Sequence, residues 1–237
     1  MKIAIIGYGK MGREIEKSAL QRGHEVVLKI DHNNRGEFES EKFKQADVAV
    51  EFTHPQSAYQ NILQCFQANV PVVSGTTGWT EDLERAVEKC KSEEKTFFYA
   101  SNFSLGVNLF FKVNEYLAQL MDAYPDYNVS VEETHHKQKL DAPSGTAITL
   151  ATTIIENLHR VKTWNKDSVD QLDVIPVKSY RTGNIPGNHK VTYESGFDRI
   201  TLEHDAKSRI GFALGAVLAA EYIHHKKGFY TMDDLIQ

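Results

Sequence analysis

The sequence predicts an α/β fold: a doubly wound parallel sheet in the first half, followed by a second, α+β domain. Three observations predict it. Short β-branched runs alternate with helical stretches up to about residue 104, the pattern of a parallel sheet with crossover helices. A glycine-rich turn joins the first strand to the first helix. Beyond residue 105 strands follow one another more closely, and the alternation stops.

Lys2 to Ile6 is a β-branched run that reads as a buried strand. Gly7-Tyr8-Gly9-Lys10-Met11-Gly12 follows at once, then a helical pattern through Ile15, Ala19 and Leu20 to Gly23. Val26 to Ile30 is the next strand and ends at Asp31. Each glycine has a mechanical reason: a tight turn, close approach to a pyrophosphate, and close helix–strand packing. Asp31 stands where ribose hydroxyls are held. A lone Gly-x-Gly-x-x-Gly is weak evidence. Between a strand and a helix, with the acid in register, it marks a Rossmann-type dinucleotide site. The competing reading is a structural turn in a domain that binds nothing.

The alternation continues. Asp47 to Thr53 reads as a strand and 55–68 as a helix begun by Pro55. Val70 to Ser74 is a strand, Thr80 to about Lys95 a helix with Glu81 and Asp82 in its first turn, and Thr96 to Ala100 a fifth strand. Ligands in such sheets sit at the carboxyl ends of the strands. Those ends carry the glycine loop, Asp31, Phe52-Thr53-His54-Pro55, Gly75-Thr76-Thr77-Gly78 and Ala100-Ser101-Asn102-Phe103-Ser104. The nucleotide domain is therefore expected over 1–104, with 208–237 packing back on it.

The second domain is expected over 105–207. Leu105 to Met121 is helical, and Tyr127 to Val131 alternates like a half-exposed strand running into a His-His loop. A helix covers about 145–159, and 160–171 reads as polar and irregular. Val174 to Val177, Lys190 to Tyr193 and Arg199 to Glu203 read as strands of a mostly antiparallel sheet. Tyr180 to His189 reads as a long loop, either a binding loop or an ordinary hairpin connection. Ser208 to His225 is a helix apolar on nearly all sides, hence buried.

Composition narrows the function. The chain has 237 residues, 41% hydrophobic and 25% charged, ordinary for a soluble globular protein. A net charge of −5 argues against broad nucleic-acid binding. Only two cysteines, Cys65 and Cys90, point to a reducing compartment. The N-terminal apolar run is too short for a signal peptide, and Ile210 to Ala220 is too short to cross a bilayer. A cytoplasmic protein is expected, with no membrane and no nucleic-acid partner.

The chemistry concentrates in Thr134-His135-His136-Lys137-Gln138-Lys139-Leu140-Asp141-Ala142-Pro143-Ser144-Gly145-Thr146-Ala147. Two imidazoles and two ammonium groups fall within it. Ser144, Gly145 and Thr146 open a helix whose free N–H groups attract anions. The stretch reads as a pocket for an anionic small molecule with groups able to move protons. The competing reading is polar surface. Zinc spacings such as His-Glu-x-x-His and Cys-x-x-Cys are absent, so no metal is expected.

These motifs resemble those of the 4-hydroxy-tetrahydrodipicolinate reductases (dihydrodipicolinate reductases) of lysine and diaminopimelate synthesis. The resemblance covers nearly the whole chain. It rests on the glycine loop, Phe52-Thr53-x-Pro55, Gly75-Thr76-Thr77-Gly78, Ala100-x-Asn102-Phe103-Ser104-x-Gly106-Val107-Asn108, the His-His stretch, and Arg181-x-Gly183-x-x-x-Gly187-x-His189. It implies an oxidoreductase that uses NADH, NADPH or both on a cyclic imine dicarboxylate. It implies that His135 donates or accepts a proton and that Lys139 donates one. His136, Gly145 and Thr146 would hold the dicarboxylate. Gly7 to Met11, Gly75 to Thr77 and Ala100 to Phe103 would hold the cofactor. A homotetramer is implied, as is a cleft that closes on both ligands. The sequence departs from the family pattern in a glycine loop one residue shorter than the commoner form, in a shorter segment before residue 174, and in Glu51 where Asp is usual. The nearest rival is another dehydrogenase of dicarboxylates or amino acids, such as an aspartate dehydrogenase. A nucleotide-sensing regulator is a second, and it would leave the clustered proton donors unexplained.

Overall fold

The structure is a computed structural model describing residues 1–166, 171–208 and 210–236. In chain order the elements are β1 (Lys2–Ile6), α1 (Lys10–Gln21), β2 (Glu25–Ile30), a 3-10 turn (Arg35–Glu39), α2 (Glu41–Lys44), β3 (Val48–Glu51), α3 (Pro55–Gln67), β4 (Val72–Ser74), α4 (Thr80–Ser92), β5 (Thr96–Tyr99), α5 (Leu105–Met121), β6 (Asn128–His135), α6 (Gly145–Asn157), β7 (Thr163–Asn165), β8 (Val174–Arg181), β9 (Asn188–Glu194), β10 (Arg199–Asp205), α7 (Ile210–Ile223), β11 (Gly228–Tyr230) and α8 (Met232–Leu235). They form two compact units, 1–105 with 210–237, and 106–209.

The first unit is a parallel six-stranded sheet in the order β11-β5-β4-β3-β1-β2. Alternate residues of each strand feed two cores, because successive side chains point to opposite faces. Ile3, Ile5, Val48, Val50, Val73 and Phe98 pack with Ile15 and Ala19 of α1 and Ala213, Ala216 and Val217 of α7. Ala4, Ile6, Ala49, Val72 and Phe97 pack on the other face with Ile62, Cys65 and Phe66 of α3 and Ala86 and Cys90 of α4. Helix α7 is so rich in small residues because it lies tight against the chain. A Cβ on Gly215 would sit 1.7 Å from the carbonyl oxygen of Phe103, so glycine lets the backbones meet.

Two features of this unit escape the sequence reading. β11 adds a sixth strand parallel to β5, with Phe229 opposite Phe97. It is three residues long, too short to carry a pattern. The strand expected over Asp47 to Thr53 is trimmed to Val48–Glu51, which leaves Phe52 and Thr53 in the loop at the sheet's carboxyl edge.

The second unit is a five-stranded sheet in the order β10-β9-β6-β8-β7. It is mixed, not mostly antiparallel: β10 and β9 pair antiparallel, as do β9 and β6, but β6 pairs parallel with β8 and β7 parallel with β8. Helix α6 is the crossover between the parallel strands β6 and β8. Phe110 and Ala118 of α5 and Leu150, Ala151 and Ile154 of α6 pack on Val129, Val131, Ile175, Val177, Val191 and Tyr193 of the sheet. The segment expected to be irregular over 160–171 contains β7, which pairs Trp164 with Ile175. Residues 167–170 of that segment lie outside the described residues.

One difference here bears on function. β6 does not stop at Val131 but runs on to His135, with alternate residues buried throughout. Glu133 and His135 therefore point the same way as Val129 and Val131. β8 likewise runs to Arg181, and β9 begins at Asn188, so the loop expected from Tyr180 to His189 shrinks to 182–187. Cross-strand register sets Glu133 opposite His189 on β9 and Ser179 on β8, and His135 opposite Arg181. The buried face of this sheet is hydrocarbon at one end and ionisable at the other.

Candidate functional site

The first unit presents a cavity of about 830 Å³ at the carboxyl edge of its sheet. Gly7, Tyr8, Gly9, Lys10, Met11, Asp31, Thr53, Gly75, Thr76 and Thr77 line it. Gly7 has φ +92°, and a Cβ there would lie 2.0 Å from the Phe52 carbonyl oxygen. Gly12 serves packing instead: its Cβ would lie 2.2 Å from the Gly7 carbonyl oxygen. Gly9 is the N-cap of α1, with no side-chain cap, no acid in the first turn, and open space around its α-carbon. Uncapped N–H groups and a helix dipole facing open space fit a pyrophosphate.

The ends of β3 and β4 are tied beneath this cavity. Glu51 is fully buried, and its carboxylate accepts hydrogen bonds from Ser74 Oγ (2.6 Å), Thr76 Oγ1 (2.9 Å to Oε2) and Thr53 Oγ1. The Thr53 N–H donates in turn to Thr76 Oγ1 at 2.8 Å. Glu51 thus fixes the two threonines that face the cavity. The Phe52 ring lies against Gly75, where a Cβ would sit 2.2 Å from it, so only glycine leaves room for the ring there. Ala100 and Phe103 are buried, Asn102 partly so, and Ser101 is exposed; Phe103 belongs to the core one layer behind Phe52, 5.6 Å between ring centres.

Asp31 is exposed at the cavity rim, with Oδ1 accepting the Asn33 N–H at 2.7 Å. Arg35 lines the same cavity, and its guanidinium donates to Asn61 Oδ1 at 3.2 Å. Lys10, His32 and His54 also line it, so one carboxylate and four basic side chains share the wall.

The second unit gathers the His-His stretch around a buried acid. Glu133 is fully buried at the polar end of β6. Its Oε1 accepts the Ser144 backbone N–H at 3.0 Å and the Arg181 guanidinium at 2.9 Å. Its Oε2 lies 3.2 Å from His135 Nδ1 and 3.8 Å from His189 Nε2. Burial alone would raise the Glu133 pKa, but donor groups on His135, Ser144, Ser179 and Arg181 outweigh it and hold the carboxyl well below the usual range. Burial, followed by the neighbouring His135, pushes His189 down to about 4, so that ring is neutral near pH 7. The donor atoms of Glu133, His135 and His189 lie within 4.8 Å of one another, a spacing a cation could use. The Arg181 guanidinium on the same carboxylate opposes one.

The predicted anion pocket starts beside this acid. Ser144 caps α6, its Oγ accepting the Ala147 N–H at 3.2 Å and lying 3.1 Å from His189 Nε2. Gly145 and Thr146 form the first turn of α6, with no acid among the first residues. Lys139 holds both oxygens of Asp141, at 2.7 and 2.8 Å, and that bond lowers the Asp141 pKa. Arg181 braces the loop by donating to the carbonyls of Lys139 and Asp141. The His136 N–H donates to the Ile185 carbonyl at 2.9 Å, and Thr182 N–H to that of His135 at the same distance. Gly187 packs so close that a Cβ would sit 3.1 Å from His135 Nε2. The loop over 182–187 is thus the wall of the His-His site.

Glu133 escaped the sequence reading, and so did the structural parts of Arg181 and His189. One signal was available. The alternation that marks Val129 and Val131 as inward continues through Glu133 to His135. Arg181 and His189 reach the site by cross-strand register, which sequence alone does not give.

Comparison with known proteins follows the same division. A family model described as "Dihydrodipicolinate reductase, N-terminus" matches residues 1–103, and one described as "Dihydrodipicolinate reductase, C-terminus" matches 106–236. A 4-hydroxy-tetrahydrodipicolinate reductase of Christiangramia forsetii is 50% identical, covering 100% of this chain and 98% of its own length. One from Archaeoglobus fulgidus is 36% identical, covering 100% of both chains. Among solved structures, the dipicolinate-bound dihydrodipicolinate reductase of a Paenisporosarcina species aligns with TM-score 0.78 at 28% identity, over 98% of this chain and 97% of the other. An aspartate dehydrogenase of Thermotoga maritima, the rival reading, aligns with TM-score 0.50 at 15% identity over 95% of this chain and 97% of its own, a likeness of fold.

Proposed function

This chain belongs to the dihydrodipicolinate reductase family, and from that premise we propose which of its residues carry the reaction. The protein is an oxidoreductase that reduces 4-hydroxy-tetrahydrodipicolinate to tetrahydrodipicolinate with NAD(P)H, in lysine and diaminopimelate synthesis. Overall, the hydroxyl takes up a proton and leaves as water while a ring C–H proton is released, then hydride and a second proton add to the ring, for a net uptake of one proton. When bound, the reduced nicotinamide cofactor supplies the hydride.

The residues of the first unit fit that cofactor. Gly7, Gly9 and the α1 N-terminus receive the pyrophosphate, with Tyr8, Lys10 and Met11 around it, and Gly12 allows the close packing that places them. Thr53, Gly75, Thr76 and Thr77, fixed from below by Glu51, hold the cofactor across the strand ends, together with Ala100, Ser101, Asn102 and Phe103. In the second unit the α6 N-terminus at Ser144, Gly145 and Thr146 receives one carboxylate, with His136 and Lys139 beside it. Lys139 donates a proton and His135 transfers one. The observation that carries this assignment is the Ser144-capped start of α6, with no acid in its first turn, built against the Glu133–His135 cluster. A planar dicarboxylate, pyridine-2,6-dicarboxylate, is expected to inhibit competitively against the imine. Inhibition that is absent, or not competitive with the imine, contradicts the assignment.

Cofactor choice follows from Asp31. A carboxylate at this position accepts hydrogen bonds from the ribose hydroxyls of NADH and repels the 2′-phosphate of NADPH. Lys10, His32 and Arg35 on the same wall offset that repulsion. We therefore expect dual use, with NADH at least as good as NADPH. Asp31→Ala is expected to weaken NADH more than NADPH. Measured kcat/KM for both cofactors in both proteins checks this. A marked wild-type preference for NADPH, or equal losses in the variant, would show that Asp31 does not read the ribose.

The same proposal includes a homotetramer in the cytoplasm. Leu109, Val113, Tyr116 and Leu120 follow helical spacing along α5 and are each about half exposed or more. An apolar stripe of this length suits an interface better than solvent. Sedimentation velocity on the purified chain is expected to show a tetramer, and a monomer at micromolar concentration contradicts it. No described helix is long and apolar enough to cross a membrane.

A further inference from the structure

Glu133 has no part in the roles assigned above, yet every group of the second-unit site touches it or touches a residue that does. A buried carboxylate must have its lone pairs satisfied. Oε1 is satisfied by Ser144 N–H and Arg181. Oε2 faces His135 Nδ1 at 3.2 Å. An ionised carboxylate only accepts hydrogen bonds, so that approach is favourable when Nδ1 carries a proton and unfavourable when it carries a lone pair. Ser179, opposite Glu133 on β8, is a second donor to the carboxylate beside His135, whereas His189 is less able to serve Oε2, since its Nε2 lies 3.1 Å from Ser144 Oγ but 3.8 Å from the carboxylate.

We infer that Glu133 is a positioning residue: it accepts the Nδ1 proton of His135, leaving Nε2 as the atom that exchanges a proton with substrate, and it anchors the α6 start that receives the dicarboxylate. The inference rests on the reading of His135 as the proton-transfer group. In the transfer, protonated His135 gives its Nε2 proton to the substrate and becomes the neutral Nδ1–H form, and solvent later restores the proton. Glu133 stays ionised throughout, held so by Arg181. One side chain thereby ties ring orientation to anion site, which explains an acid buried among core residues of β6. A Cβ on Gly187 would lie 3.1 Å from Nε2, so glycine at that position leaves the Nε2 edge of the ring free for substrate.

The test variant is Glu133→Gln, which removes the charge and keeps the shape, including an oxygen for the Ser144 N–H. The charged and titratable groups around His135 are Glu133 on its own strand, Arg181 on β8, His189 on β9 with His204 beyond it, and Lys139 with Asp141 on the following loop. Of these the variant changes Glu133 alone. We expect kcat to fall by about 10- to 1000-fold, while the Kd of pyridine-2,6-dicarboxylate changes by about threefold or less. Nitrogen-15 spectra of ligand-free wild type should show neutral His135 as the Nδ1–H form. Glu133→Asp, which keeps the charge, should recover part of the kcat lost in Glu133→Gln.

Three results overturn the inference: neutral His135 protonated at Nε2 in wild type; Glu133→Gln with kcat within about threefold of wild type; or dicarboxylate affinity falling in step with kcat. The spectrum needs neither the variant nor turnover, so it decides even if Glu133→Gln does not fold. A wild type that leaves the cyclic imine unreduced contradicts the proposed function, and the spectrum still decides the role of Glu133.

Discussion

His135→Ala is expected to lower kcat by roughly 10²- to 10⁴-fold, the range of a lost general acid–base group. The imidazole is 7% exposed and faces the Glu133 carboxylate through Nδ1, so solvent will not replace it in the same geometry. Fold should survive, because the charge of Glu133 remains compensated through Oε1 by Arg181 and Ser144 N–H. Cofactor affinity should barely change, since the residues proposed to hold it belong to the first unit. Steady-state kinetics with circular dichroism and a cofactor titration check all three points. Near-normal turnover in a folded variant removes His135 from the mechanism.

Lys139→Ala is expected to damage both turnover and binding. A charge-assisted hydrogen bond is worth about 1.5–3 kcal/mol, or roughly 10- to 150-fold in affinity for the dicarboxylate. Loss of a proton donor should lower kcat by about 10²-fold or more. The loss of binding is aggravated by Asp141, whose carboxylate now sits on the Lys139 ammonium and would be left bare beside an anion pocket. The double variant Lys139→Ala with Asp141→Ala should therefore recover part of the lost pyridine-2,6-dicarboxylate affinity and none of the lost kcat. Inhibition constants and kcat for the three proteins separate these effects. Unchanged inhibition of the single variant defeats the anion-pocket argument.

The parts of this account that were legible in sequence are those in which local pattern and chemistry coincide. β1, the glycine loop, α1, α3 and α5 are carried by period, turn residues and caps within a dozen or so neighbouring residues. The His-His stretch is equally local, because an N-cap serine and its following turn sit next to the histidines. What was missed depends on register. Glu133 follows Glu132 and looks like the polar run into a loop, whereas the strand continues and alternation buries one acid and leaves its neighbour partly exposed. Its partners Arg181 and His189 come from strands more than forty residues away, paired by a parallel and an antiparallel ladder in turn. The parallel pairing of β6 with β8 was also hidden, because one crossover helix amid short strands reads like a break in an antiparallel meander. β7 and β11 have three residues each and leave no period to detect.

Glu51 teaches a related lesson. As a sequence feature it is a one-carbon change at a strand end. In the fold its longer side chain lies fully buried and accepts hydrogen bonds from the hydroxyls of Ser74, Thr76 and Thr53 at once. That ties together two loops which the sequence lists separately as cofactor-facing.

The most direct test of the whole account is a coupled assay. The product of dihydrodipicolinate synthase is supplied to the purified chain with NADH or NADPH, and loss of the reduced-nicotinamide absorbance is followed. The account predicts oxidation of the cofactor that depends on both the chain and the imine, is inhibited by pyridine-2,6-dicarboxylate, and is lost in His135→Ala. Contradiction would be an intact wild-type protein that leaves the cofactor reduced with this imine, or one that oxidises it as fast in the His135→Ala variant.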